Sequence, residues 1–252
     1  MIALSKNKAK FIKSLHIKKY RKQEQLFLVE GTKSVLELLN ANYQVIMLLV
    51  SQKFWHQHQN VISSANIQEI FEVSPAQLSS VSTFKQNQDV LAVAKMPDQK
   101  KIKPAAGEWW LALDNIQDPG NLGTIIRTAD WYGITNIIAS METAELYNPK
   151  VIHATMGSFI RVNIAYYELN EVIKSTPLNV FGAYLDGVNI HTYEFDEASG
   201  GIFLIGNEAK GISADLEQFV SVKLSIPRFG QAESLNAGIA TAVILDNLRK
   251  YS

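Results

Sequence analysis

The 252-residue sequence predicts an α/β fold in two parts. Three observations predict it. Apolar runs of strand length alternate with helix-length segments along the whole chain. Apolar residues make up 47% of the sequence, ample for a packed core. A stretch of prolines, lysines and small residues at 97–107, PDQKKIKPAAG, cuts the alternating pattern in two. The expected division is a domain at 1–96, a linker at 97–107 and a second domain at 108–252.

In the first domain, residues 5–15 suit a basic helix with Phe11, Ile12 and Leu15 inward. A strand at 26–29 turns through Glu30-Gly31-Thr32 into a helix at 33–41. A near-continuous apolar strand at 44–50, a helix at 54–65 and a strand at 67–73 follow. The short helix at 75–81 begins with Pro75, which the first helical turn accepts. A strand at 90–96 ends the domain. His56 and His58 lie two apart in a helix and point to different faces, which argues against a metal pair.

The second domain opens with a buried strand at 109–113. The following helix has Leu122, Ile125, Ile126 and Ala129 inward. Next come a strand at 136–139 and a helix at 148–156 closed by Gly157. Strands are expected at 159–164, 179–185 and 202–205, then a helix at 214–219. The strand at 222–226 stops at Pro227, which cannot continue a ladder. Gly230 permits a sharp loop. Ser234 stands where an N-cap belongs, and a helix at 234–251 follows. Repeated βα units of this kind favour a mostly parallel sheet.

Composition narrows the function. There is no cysteine, so disulfides and cysteine zinc sites are excluded. The five histidines are scattered, and no metal site is expected. No run approaches the ~20 apolar residues of a membrane span, and no apolar leader is seen. A soluble, cytoplasmic protein is the expectation. The net charge of zero hides an asymmetry. Residues 1–103 hold 15 Lys/Arg against 7 Asp/Glu, and residues 104–252 hold 9 against 17. Lys6, Lys8, Lys10, Lys13, Lys18, Lys19, Arg21 and Lys22 precede the first acidic residue. Such a segment points to a polyanion partner, with Lys18, Lys19, Arg21 and Lys22 expected on its phosphates.

Three polar loops follow apolar strands, where α/β sheets bind ligands. The first carries Asn121, Gly123 and Arg127. If Asn121 caps its helix, Arg127 reaches back toward that end. A surface pair with Asp130 or Glu142 is the alternative. The second is GNEAKG at 206–211, two glycines around Glu208. It is not a phosphate loop of the Walker type, because Ile212 follows the second glycine. No G-x-G-x-x-G follows a strand, so a dinucleotide fold lacks support. The third, 226–236, packs Arg228, Gln231, Glu233, Ser234 and Asn236 into one connection, although a cap needs only one polar residue. Ser234 has no placed histidine partner, which weakens a hydrolase reading.

The loops NLGTIIRTAD, IGNEAKGIS and IPRFGQAESLNAGIA resemble, in order and spacing, the three motifs of SpoU/TrmH-type RNA ribose 2′-O-methyltransferases of the SPOUT superfamily. NPKVIHATMGS is similar to a further family segment. The first half resembles the substrate-binding domain of the ribosomal-RNA members. Arg228, His153 and Ala237-Gly238 depart from the family pattern. The resemblance implies a SPOUT-type α/β fold with a C-terminal trefoil knot, preceded by a smaller α/β RNA-binding domain. It implies S-adenosylmethionine as cofactor, held by the backbones of Gly206, Ile226 and Leu235. It implies a reaction site lined by Asn121, Arg127, Glu208, Ser234 and Asn236 and completed across a homodimer. Ribosomal RNA is the favoured substrate and transfer RNA the alternative. A non-catalytic dimeric RNA-binding protein is the rival class. The family often casts the arginine as a base. A guanidinium holds its proton, so Arg127 is read as an electrostatic group instead.

Overall fold

The computed structural model describes residues 2–84, 87, 89–98 and 102–250. Residues 99–101 of the expected linker and Tyr251 of the expected last helix lie outside them. The chain forms two compact units. One is Met1–Asp98 with Glu145–Ile160; the other is Gln99–Ala144 with Arg161–Ser252. This departs from the contiguous division read from the sequence. Residues 145–160 follow the linker in the chain but pack with the first unit.

The first unit runs β1 (Ile2–Ala3), α1 (Lys6–Ser14), α2 (Lys18–Glu24), β2 (Leu26–Glu30), α3 (Thr32–Asn40), β3 (Val45–Val50), α4 (Gln52–Ser64), β4 (Ile67–Glu72), α5 (Pro75–Val81) and β5 (Val90–Lys95). Its sheet has the order β1-β4-β3-β5-β2. β5 is antiparallel to β2 and β3, whereas β4 is parallel to β1 and β3. Leu28, Leu49, Phe71, Leu78 and Val93 belong to its core, onto which α1 lays Ile12 and the residue that ends it, Leu15. Serines begin three of the helices: Ser5 caps α1, Ser51 caps α4, and Ser74 with Gln77 forms a capping box on α5.

The second unit begins β6 (Trp109–Leu113), α6 (Pro119–Trp131) and β7 (Asn136–Ala139). The chain then enters the first unit as α7 (Pro149–Thr155) and a 3-10 turn, Ser158–Ile160. There Phe27 meets the rings of Tyr147 at 4.6 Å and Phe159 at 5.9 Å. His153 stacks on Phe84 at 4.0 Å. Met156 takes the left-handed conformation that ends α7, with φ 51°. The chain returns as β8 (Asn163–Tyr166), α8 (Leu169–Lys174), β9 (Val180–Tyr184), β10 (Val188–Asn189), β11 (Gly201–Ile205), α9 (Ala214–Glu217), β12 (Val222–Ser225) and α10 (Ala237–Leu248). The apolar run expected as one strand at 159–164 is therefore split, because the 3-10 turn takes its first part. The helices α2 and α8 were not expected from the sequence.

Every pairing in the second sheet is parallel, in the order β10-β12-β9-β11-β6-β7-β8. Central β6 and β11 are buried along their whole length, as apolar runs in a covered parallel sheet should be. Parallel pairing puts all strand carboxyl ends on one edge. The loops after β6, β11 and β12 emerge there together.

Candidate active site

The first polar loop starts α6. Its cap is Asp118, not Asn121: the Asp118 carboxylate accepts the Asn121 N–H at 2.9 Å. Asn121 thus sits inside the first turn, with its side-chain amide free for other work. The third loop starts α10. There the cap is Asn236 rather than Ser234, since Asn236 Oδ1 accepts the N–H groups of Gly238 at 2.9 Å and Ile239 at 3.3 Å. Ser234 lies two residues upstream and is exposed.

Those two corrected positions meet. Asn236 Nδ2 donates to Asn121 Oδ1 at 2.6 Å. Asn121 Nδ2 in turn donates to the Glu208 carboxylate. A line of side chains therefore joins all three loops across sequence separations of 115 and 87 residues. Glu208 acts as acceptor only, so the direction of donation from Asn236 through Asn121 is set by its charge.

Beside this line lies a cleft of about 570 Å³. Gly206, Glu208, Ile226, Ser234 and Leu235 are among the residues that line it, with Tyr184 from the end of β9. Leu235 is 46% exposed, an apolar side chain that lines the cleft rather than the core. Gly206 stands at the start of the second loop, close against the backbone that ends it. A Cβ there would strike the backbone of Gly211 and Ile212, so its first role is to let its own loop close.

Arg127 projects from α6, is exposed, and makes no hydrogen bond or ion pair among the described residues. Its expected competitor, Asp130, is held instead by both Nε and Nη2 of Arg161, at 2.8 to 3.0 Å. Arg228 donates to the Ala232 carbonyl at 3.4 Å and so braces its own loop. Gly238 lets α10 approach α6, because a Cβ would meet Thr124 Cγ2 at 2.8 Å. Among the described residues no three His, Asp or Glu gather as a metal site.

Residues 108–246 match the SpoU rRNA methylase family. The chain belongs to this family. Residues 6–92 match the MRM3-like substrate binding domain. Among relatives of this SpoU-family chain, the 23S rRNA (guanosine(2553)-2′-O)-methyltransferase RlmP of Bacillus subtilis is 31% identical over 246 residues, 96% of each chain. A TrmH-family structure from Porphyromonas gingivalis has 32% identity and a TM-score of 0.85 over the whole of both chains. An AdoMet-bound rRNA methyltransferase from Sinorhizobium meliloti has 29% identity and a TM-score of 0.85, covering 100% of this chain and 97% of that one.

The substrate-binding part of this SpoU-family chain divides the basic residues. Lys18, Lys19 and Lys22 are exposed on α2, and Tyr20 stands among them at 38% exposure. Arg21 is a correction. It is buried at 2% exposure and donates to the carbonyls of Leu15 and His16, each at 2.9 Å, and to Glu145 at 2.7 Å. It fastens α2 inward and is not available to a phosphate. Sequence reasoning also passed over Asp114 and Asn207, which fix the second loop. The signal was present: an asparagine opening a tight loop after a strand is a side-chain-to-backbone turn former.

Proposed function

We propose that the chain is an S-adenosylmethionine-dependent RNA ribose 2′-O-methyltransferase acting on ribosomal RNA. The observation that carries the reading is the Asn236–Asn121–Glu208 line beside the cleft. Its volume lies within the ~300–1,000 Å³ usual for small-molecule sites. The lining joins apolar Ile226 and Leu235, suited to a purine and to methylene groups, to backbone groups at Gly206 that can bind polar edges. When bound, S-adenosylmethionine supplies a sulfonium methyl; its transfer forms the ribose O–CH3 bond, breaks the S–CH3 bond and releases the hydroxyl proton.

The chain's own residues position and neutralise. Asn121, Glu208 and Asn236 fix the geometry at the cleft mouth, because in-line attack needs reacting atoms within roughly 3–3.5 Å. Ser234 lies on the same rim. Arg127 offers an uncommitted planar cation to the adjacent phosphate or to the developing alkoxide. Lys18, Lys19 and Lys22 supply phosphate contacts on the substrate-binding side.

The same reading includes the family's trefoil knot, a cytoplasmic setting and a homodimer. No helix among the described residues is long and apolar enough to cross a membrane. Support for the dimer is the exposed apolar surface on the packed helices α6 and α10: Trp131 at 83% and Ile239 at 52%. Light scattering should give twice the 28.1 kDa chain mass. The deciding experiment incubates the chain with methyl-labelled S-adenosylmethionine and either ribosomal or transfer RNA. Label should appear in 2′-O-methylnucleosides of the ribosomal RNA. RNA binding without any transfer would leave the non-catalytic dimer instead.

A further inference from the structure

The loop that carries Glu208 is pinned at both ends by residues with no assigned part in methyl transfer. Asp114 sits at the carboxyl end of β6 and is 7% exposed. Its Oδ2 accepts the Ser213 N–H at 2.7 Å. Asn115, next in the chain, takes the left-handed conformation with φ 58°. That turn aims its carbonyl at Asn207, whose Nδ2 donates to it at 2.8 Å. The Asn115 N–H is itself held by Ser140 Oγ at 3.0 Å. Within the loop, Asn207 Oδ1 accepts the N–H groups of Ala209 at 3.0 Å and Lys210 at 3.1 Å. The backbones of Asn207 and Gly211 exchange hydrogen bonds at 3.0 and 2.9 Å.

Glu208 lies between these two pins. It is exposed, and a long exposed carboxylate keeps one rotamer only at an entropic cost. Fixing the backbone at both ends lowers that cost and leaves Asn121 to select the rotamer. We propose that Asp114 and Asn207 are positioning residues, which clamp the 207–213 loop so that Glu208 meets Asn121 in the geometry methyl transfer requires. The proposal rests on the transferase reading for its functional half and on the loop geometry for the other.

The test uses the full chain. Asn207→Asp keeps the acceptor for Ala209 and Lys210 but loses the donor to Asn115. Asp114→Ala loses the acceptor for Ser213, and Asp114→Asn keeps it. Hydrogen exchange of the amides at 209–213 should quicken about tenfold in Asn207→Asp and Asp114→Ala and recover in Asp114→Asn. Single-turnover methylation should fall about tenfold for Asn207→Asp in the wild-type background but less than about twofold in a Glu208→Ala background. An equal loss in both backgrounds would show a general structural role and overturn the proposal. So would a loop that stays protected in both variants. If Asp114→Ala fails to fold, Asn207→Asp decides alone. A wild-type chain that transfers no methyl group sinks the transferase reading; the exchange arm needs no turnover and still supports or overturns the clamp.

Discussion

Asn236 performs two tasks that substitution can separate. Its Oδ1 caps α10 and its Nδ2 holds Asn121. Asn236→Ala loses both. Loss of such a cap costs about 1 kcal/mol. In a chain of this size that lowers the melting temperature by roughly 2–4 °C. Asn236→Ser keeps a good cap, so its stability should match wild type within a few tenths of a kcal/mol. Serine is too short to reach Asn121. The lost hydrogen bond, worth about 1 kcal/mol, then slows single turnover at least about fivefold. The assay pairs calorimetric melting with single-turnover methylation for both variants. Asn236→Ser with full stability and full activity would refute the reasoning, because the Asn236–Asn121 bond would then contribute nothing to catalysis.

Four further outcomes are expected. Neutralising Lys18, Lys19 and Lys22 should leave stability unchanged and flatten the salt dependence of RNA binding by about 0.7 for each phosphate no longer neutralised, read from titrations at several salt concentrations. Arg21→Ala should instead destabilise the first unit by about 3–5 kcal/mol, since it leaves the largely buried Glu145 without its cation; urea unfolding reads this. Arg127→Ala should lose most turnover with cofactor affinity intact in calorimetry, and the pH–rate profile of Arg127→Lys should keep its shape; a new ionisation confined to that variant would restore the general-base role. Burial, then the nearby Tyr43 and Glu145, pushes the Tyr147 hydroxyl well above the ordinary tyrosine range. The folded state therefore keeps a proton the unfolded state releases. This stability is whole below about pH 10 and falls as pH rises further, and Tyr147→Phe should flatten the fall in urea midpoints.

The elements that the sequence made legible are those with an apolar period or a strong terminator. β6, β11 and β12 are apolar runs ended by Asp114, Gly206 and the loop to Pro227, and each lies where the pattern placed it. α2 was missed because KKYRKQE has no apolar stripe; its one inward side chain is Arg21. The same residue shows the limit at the site. Charge is visible in a sequence, but the partner that buries it, Glu145, is 124 residues away. The three polar loops were legible as loops, since each follows a strand. Their joining was not, because the residues of the Asn236–Asn121–Glu208 line belong to separate connections. Ser234 and Asn236 are both capping types two residues apart, and only the position of the α10 backbone selects Asn236.

The segment at 145–160 has a consequence for synthesis. Phe27 and Tyr43, which meets it, are laid down early, but two further rings against Phe27, Tyr147 and Phe159, belong to a later stretch. A ribosome adds ~5–20 residues per second, so roughly 3–12 s separate Asp98 from Ile160. For that interval the nascent first unit lacks its last layer, while the strand β6, the helix α6 and the strand β7 are already being made. The sheet and core of the first unit come from residues 2–95, but its layer at 145–160 is added later. Its completion waits on a piece of chain from the other side of the linker, which makes the folding of the two halves sequentially interleaved rather than successive.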